Sequence, residues 1–217
     1  MEARAFLTAK EARLIPVVTF VGFVEKRALV EAVAQELKGR GYKVGLIREK
    51  SSPVKTSSLP FPGQAEVNFG QISLVQELDH EDFEHLIYRL FEGYDIVLGE
   101  GFVEIESIPK IEVARASVSR NLFKGKISGV LAVVSDFEVP GSRSFPFEAI
   151  SEIASFIEEH ILLPLKRDVK TVLFVNGRRI PIKKYVRETL AGVIEGFVSR
   201  LKMTEGAREI EIKIRLE

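Results

Sequence analysis

Three apolar runs punctuate the chain: IPVVTFVG at 15–22, YDIVLGEGF at 94–102 and GVLAVVS at 129–135. Near-continuous and rich in Val and Ile, they have the composition of strands buried on both faces. After the first run the period changes to that of a helix. From Glu25 to Arg40 apolar residues recur at Leu29, Val30, Val33, Ala34 and Leu37, and Gly41 stands where a helix usually ends. A strand, YKVGLIR, follows at once. Residues 15–48 therefore predict the opening βαβ unit of a parallel sheet, whose first turn is the usual place to cradle a phosphate.

Residues 51–63 (SSPVKTSSLPFPG) predict a loop, and 64–77 show mixed alternation whose latter half is strand-like. A helix is predicted over 79–93, with Asp79 as N-cap, Phe83, Leu86, Ile87, Leu90 and Phe91 as its apolar stripe, and Gly93 as its stop. KIEVAR at 110–115 reads as a short strand. Over 148–163 a helix is marked by Ile150, Ile153, Ala154, Ile157 and Ile161. This order of strands and helices predicts an α/β domain over 14–164, a mostly parallel sheet with flanking helices, preceded by a lead-in at 1–13.

The remainder, 165–217, follows a different pattern. KTVLFV and RRIPI flank Asn176-Gly177, a strong hairpin signal. A helix is predicted over 185–202 through Val186, Leu190, Val193, Ile194, Phe197 and Leu201, and the closing EIEIKIRL alternates strictly. The prediction is a small α+β (ββαβ) unit. Such a unit is marginal alone and is expected to dock on the main domain or on a partner chain.

Composition narrows the function. Lys plus Arg and Asp plus Glu number 31 each, so no net charge draws the chain to nucleic acid or to an anionic membrane. The absence of cysteine removes disulfides and thiolate metal sites, and fits a cytoplasmic protein. No apolar run is long enough to span a bilayer. The two histidines of H-E-D-F-E-H lie five apart, about 140° around a helix, which suits a solvated charged face better than a zinc site.

At the first turn a phosphate-binding loop would supply several glycines, a lysine for the β/γ oxygens and a hydroxyl for Mg²⁺. The chain has GFVEKRA there: Gly22, then Glu25, Lys26, and Arg27 in the place of the hydroxyl. Lys26 and Arg27 retain positive charge at the helix N-terminus. At the end of the YDIVLGEGF strand, Glu100 beside Gly101 is placed to hold a metal such as Mg²⁺ or to orient a nucleophile. No catalytic residue is assigned.

In order and spacing, VVTFVG, ELKGRGYKVGLIRE, YDIVLGEGF, PKIEVAR, GVLAVVSD and FEAISEIASFIEE resemble the MobB family. That resemblance covers roughly 15–160. It implies a P-loop-type fold, usually dimeric, that binds GTP and assists the nucleotidyltransferase attaching GMP to molybdopterin. By position it implies Glu100 near metal and phosphates, Lys26 as the nearest counterpart of the loop lysine, and Arg115 as the family's strand arginine. The chain departs from the family at the shortened turn, which lacks the inner glycines and the hydroxyl. The expectation is a MobB-like accessory protein of molybdenum cofactor (molybdopterin guanine dinucleotide) biosynthesis with GTP binding weakened or lost. Its expected partners are a second copy and the nucleotidyltransferase or a molybdoenzyme. Two alternatives stay open: an active GTP-binding protein with an unorthodox loop, and a binding module for molybdopterin or another small anion.

Overall fold

A computed structural model describes residues 15–50, 63–68, 71–76, 83–165, 171–207 and 210–216. Its centre is a six-stranded sheet in the order β2-β5-β1-β6-β7-β8, every pairing parallel. These strands are β1 (Val17–Val21), β2 (Val44–Arg48), β5 (Ile96–Glu100), β6 (Lys110–Ala114), β7 (Val130–Ser135) and the two-residue β8 (Ser144–Phe145). β1 and β6 are buried at every position, as expected of a parallel sheet covered on both faces.

Helices cover the two faces. α1 (Arg27–Gly39) buries Leu29, Val30, Val33, Ala34 and Leu37, the five positions of its apolar stripe. With α3 (Ile150–Ile157) it closes the larger core over Val18, Phe20, Leu98, Ile111 and Val113. α2 (Phe83–Leu90) closes the smaller core on the other face, where Ile87 packs with Ile15, Val17, Val97 and Ile108. α3 runs on through a π-helical turn, Glu158–Leu162, to Leu163–Leu165. Arg40 clasps the two larger-core helices: its guanidinium donates to Glu36 Oε1 at 2.9 Å and Glu158 Oε2 at 3.0 Å. The hydroxyl of Tyr42 donates to Glu158 Oε1 at 2.5 Å.

Two hairpins stand apart from the sheet. β3 (Gly63–Asn68) and β4 (Gln71–Gln76) pair antiparallel, so both halves of the stretch after the Ser/Pro-rich segment are strands rather than the latter half alone. Val67, Ile72 and Leu74 on this hairpin are exposed. β9 (Leu173–Val175) and β10 (Arg178–Ile180) form the second hairpin around Asn176 and Gly177, with φ of 51° and 75°. Two positive φ values are what a type I′ turn needs.

The second hairpin docks on α2. Arg179 Nη1 donates to Glu84 Oε2 at 2.6 Å, and the Phe174 ring lies 4.8 Å from His85 and 5.8 Å from Tyr88. This corrects the solvated-face expectation for Glu84 and His85, which are half-buried beneath the hairpin; His80 and Glu81 lie outside the described residues. α4 (Lys184–Val198) follows and has no buried residue. The alternating segment 210–216, expected as the last strand, joins no ladder among the described residues. Alternation sets which side chains share a face, but a strand also needs a neighbour for its N–H and C=O groups. The predicted N-cap Asp79 and the loop at 51–62 lie outside the described residues.

Candidate functional site at the carboxyl ends of the central strands

β1 connects leftward to β2 and β6 connects rightward to β7, so the strand order reverses between the central neighbours β1 and β6. In open parallel sheets ligands bind outside the carboxyl ends at such a reversal. The residues there are Gly22 and the turn into α1, the end of β5, and the residues following β6.

Gly22 has φ of +138°, and a Cβ built on it would lie 2.1 Å from the Val113 carbonyl oxygen of β6. Glycine is thus required by the close approach of two backbones. Val24 turns inward, 7% exposed, and joins the larger core. Phe23 turns outward and meets Phe123 with ring centroids 4.8 Å apart. The loop carrying Phe123 is held to β6 by the buried carboxylate of Glu112, which accepts the Phe123 N–H at 2.6 Å and the Lys124 N–H at 2.9 Å.

Glu25 then reaches forward: its Oε1 accepts the Arg27 N–H at 2.8 Å. This backbone donor holds the Glu25 carboxyl below its usual range. The first N–H groups of a helix have no partner within the helix, and here the chain's own carboxylate takes one. Lys26 contributes its carbonyl, which accepts the Val30 N–H at 3.0 Å.

Glu100, at the end of β5, lies opposite Arg48 of β2 in the sheet register. Arg48 Nη2 donates to Glu100 Oε1 at 2.7 Å, with Glu31 Oε1 3.9 Å away. Glu100, then Glu31 and Glu25, raise the pKa of the Arg48 guanidinium. Gly101 has φ of +92° and passes against Glu49, whose Oε2 accepts the Phe102 N–H at 2.6 Å. Arg115 lies apart: its guanidinium stacks 3.8 Å from the Phe147 ring and 4.0 Å from Asp136 Oδ2.

Of the predicted residues, Gly22, Lys26, Arg27, Glu100 and Gly101 therefore cluster at the carboxyl ends of β1 and β5, while Arg115 engages its own surroundings beyond β6. Sequence reasoning missed Arg48 as the partner of Glu100. The signal was available once β2 and β5 are set side by side, because both residues end their strands. A nucleoside triphosphate with Mg²⁺ is a poor fit to this arrangement. A carboxylate holds the helix N–H, no hydroxyl stands at position 27, and Glu100 is paired with a guanidinium. Among the described residues no group of three His, Asp or Glu side chains converges as a metal site, and no helix is long and apolar enough to cross a membrane.

The fold is an open α/β one, a parallel sheet with helices on both faces. Among solved structures it is similar to those of MobB proteins. A molybdopterin-guanine biosynthesis protein B structure aligns with a TM-score of 0.56 and 21% identity, over 66% of this chain and 98% of that one. MobB from Bacillus subtilis aligns with a TM-score of 0.54 and 18% identity, over 67% and 97%. A MobB homolog from Bacillus stearothermophilus gives a TM-score of 0.51 and 18% identity, over 66% and 95%. No protein-family model matches the chain, and none of the curated proteins matches it.

Proposed function

We propose that the chain is a MobB-like accessory protein of molybdenum cofactor biosynthesis, serving the step that makes molybdopterin guanine dinucleotide, with GTP binding weakened or lost. The MobB fold supports the setting. The observation that carries the nucleotide half is Glu25 on the Arg27 N–H, where a phosphate oxygen would otherwise sit. An incoming phosphate would meet this carboxylate and would have to displace it, while Lys26 and Arg27 alone supply attraction. The protein then acts through its surfaces, as a homodimer that contacts the nucleotidyltransferase or the receiving molybdoenzyme.

Titration with GTP and Mg²⁺ by calorimetry tests the nucleotide half. The expected result is no saturable heat at micromolar nucleotide; sub-micromolar binding overturns it. A deletion strain tests the setting: loss of the chain lowers the activity of a molybdoenzyme that uses the guanine dinucleotide form. Unchanged cofactor content in that strain overturns the assignment to this step.

A further inference from the structure

The segment 210–216 reads I-E-I-K-I-R-L and is exposed throughout, with Ile210, Ile212, Ile214 and Leu216 at 39%, 52%, 75% and 86%. In extended chain these four side chains share one face and the charged residues the other. The charges are antisymmetric about Ile212, with Glu211 on one side and Lys213 on the other. The sequence continues the pattern, since Glu209 and Arg215 are also equidistant from Ile212.

We infer that this segment is a self-complementary strand, pairing antiparallel with the same segment of a second copy about a two-fold axis through Ile212. In that register Ile212 faces Ile212, Ile210 faces Ile214, and Glu211 faces Lys213 in both directions. Every apolar residue falls on one face of the ribbon and every directly opposed charge pair is attractive. Pairing with another arbitrary strand does not require this symmetry; pairing with itself does. A two-stranded ribbon is marginal without a cover for its apolar face. The cover is at hand in the same part of the chain: α4 buries none of its residues, and Val193 and Phe197 are each 66% exposed. Closed two-fold pairing uses one patch on both copies and so ends at the dimer. The inference rests on neither nucleotide binding nor molybdenum chemistry.

The chain has no cysteine, so one introduced thiol reports one position. In the antiparallel register Ile212→Cys thiols face each other with Cβ atoms about 5 Å apart, near the range a disulfide bridges. Leu216→Cys thiols are eight residues out of step, about 27 Å apart along the strand. Under mild oxidation of the full chain, I212C is expected to cross-link at least about tenfold faster than L216C. In the I212C background, Glu211→Lys and Lys213→Glu should each slow cross-linking, because each homodimer then opposes like charges. Mixing the two restores it, because every opposed pair is then attractive. All these positions are exposed, and circular dichroism checks that each variant is folded. Equal rates at 212 and 216 overturn the inference. So does the absence of cross-linking at either, the outcome if the strand folds back on its own hairpin or binds a different protein. A dimer seen by size exclusion with no recovery on mixing overturns it too, and assigns dimerisation to another surface.

Discussion

Gly22→Ala is the sharpest test of how the turn is built. The added methyl would sit 2.1 Å from the Val113 carbonyl oxygen, whereas real contacts of this kind begin near 3.0 Å, so β1 and β6 must separate by about 1 Å. At φ of +138° alanine is also strained, at about 1–3 kcal/mol. Moving the Val113 carbonyl loosens a fully buried ladder, and one impaired buried hydrogen bond adds about 1–3 kcal/mol. The sum is about 2–6 kcal/mol, a large share of the roughly 5–15 kcal/mol that holds a domain together. With a urea slope of about 2–3 kcal/mol/M the unfolding midpoint falls by roughly 1.5 M at unchanged slope. Gly39→Ala is the control. Gly39 closes α1, and its added methyl meets nothing within 4 Å, so the same chemical change should stabilise by up to about 1 kcal/mol. If G22A keeps the parent midpoint to within about 0.3 M, the close approach of β1 and β6 is not what requires glycine.

Alkaline pH tests the clasp at Glu158. The hydrogen bond to Glu158, then burial, push the Tyr42 hydroxyl up to about 12. A raised folded-state pKa gives stability that is complete below about pH 10, the unfolded value, and is lost as pH rises through 12. Tyr42→Phe should therefore cost about 1 kcal/mol at pH 8 and flatten the alkaline decline between pH 10 and 12; urea midpoints that fall in parallel for both proteins refute it. Arg179→Met tests hairpin docking. The Arg179 side chain is 9% exposed, and its replacement leaves Glu84 without that donor, at about 1–3 kcal/mol. The loss should appear as faster amide exchange at 173–180 while the central strands keep their protection.

Much of the fold was legible because burial on two faces leaves a strong mark. The β1 and β5 runs follow from continuous apolar composition, the five-residue stripe of α1 from its helical period, and Asn176-Gly177 marks its turn through the positive φ values both residues accept readily. β3 was hidden because its apolar positions are few, and the hairpin residues Val67, Ile72 and Leu74 are exposed, so no burial there enforces a clear alternation. β8 is two residues long, too short for any period. Glu84 and His85 were misjudged for a different reason. The hairpin that covers them arrives from some ninety residues later, and local polarity does not register a distant cover.

The glycine at the first turn shows how a motif can mislead. In a phosphate loop glycine lets the backbone approach a ligand, and Gly22 invites that reading. The Val113 carbonyl supplies a sufficient reason without any ligand, so Gly22 is evidence for the β1–β6 packing and is neutral on phosphate. The residues after it carry the chemical information. Glu25 supplies an anion to the helix terminus, and Arg48 supplies a cation to Glu100. These are the two charges that a phosphate and its metal would otherwise bring. A chain that supplies both charges from its own side chains can keep the fold without the nucleotide, which is why the proposed role is placed on the protein's surfaces.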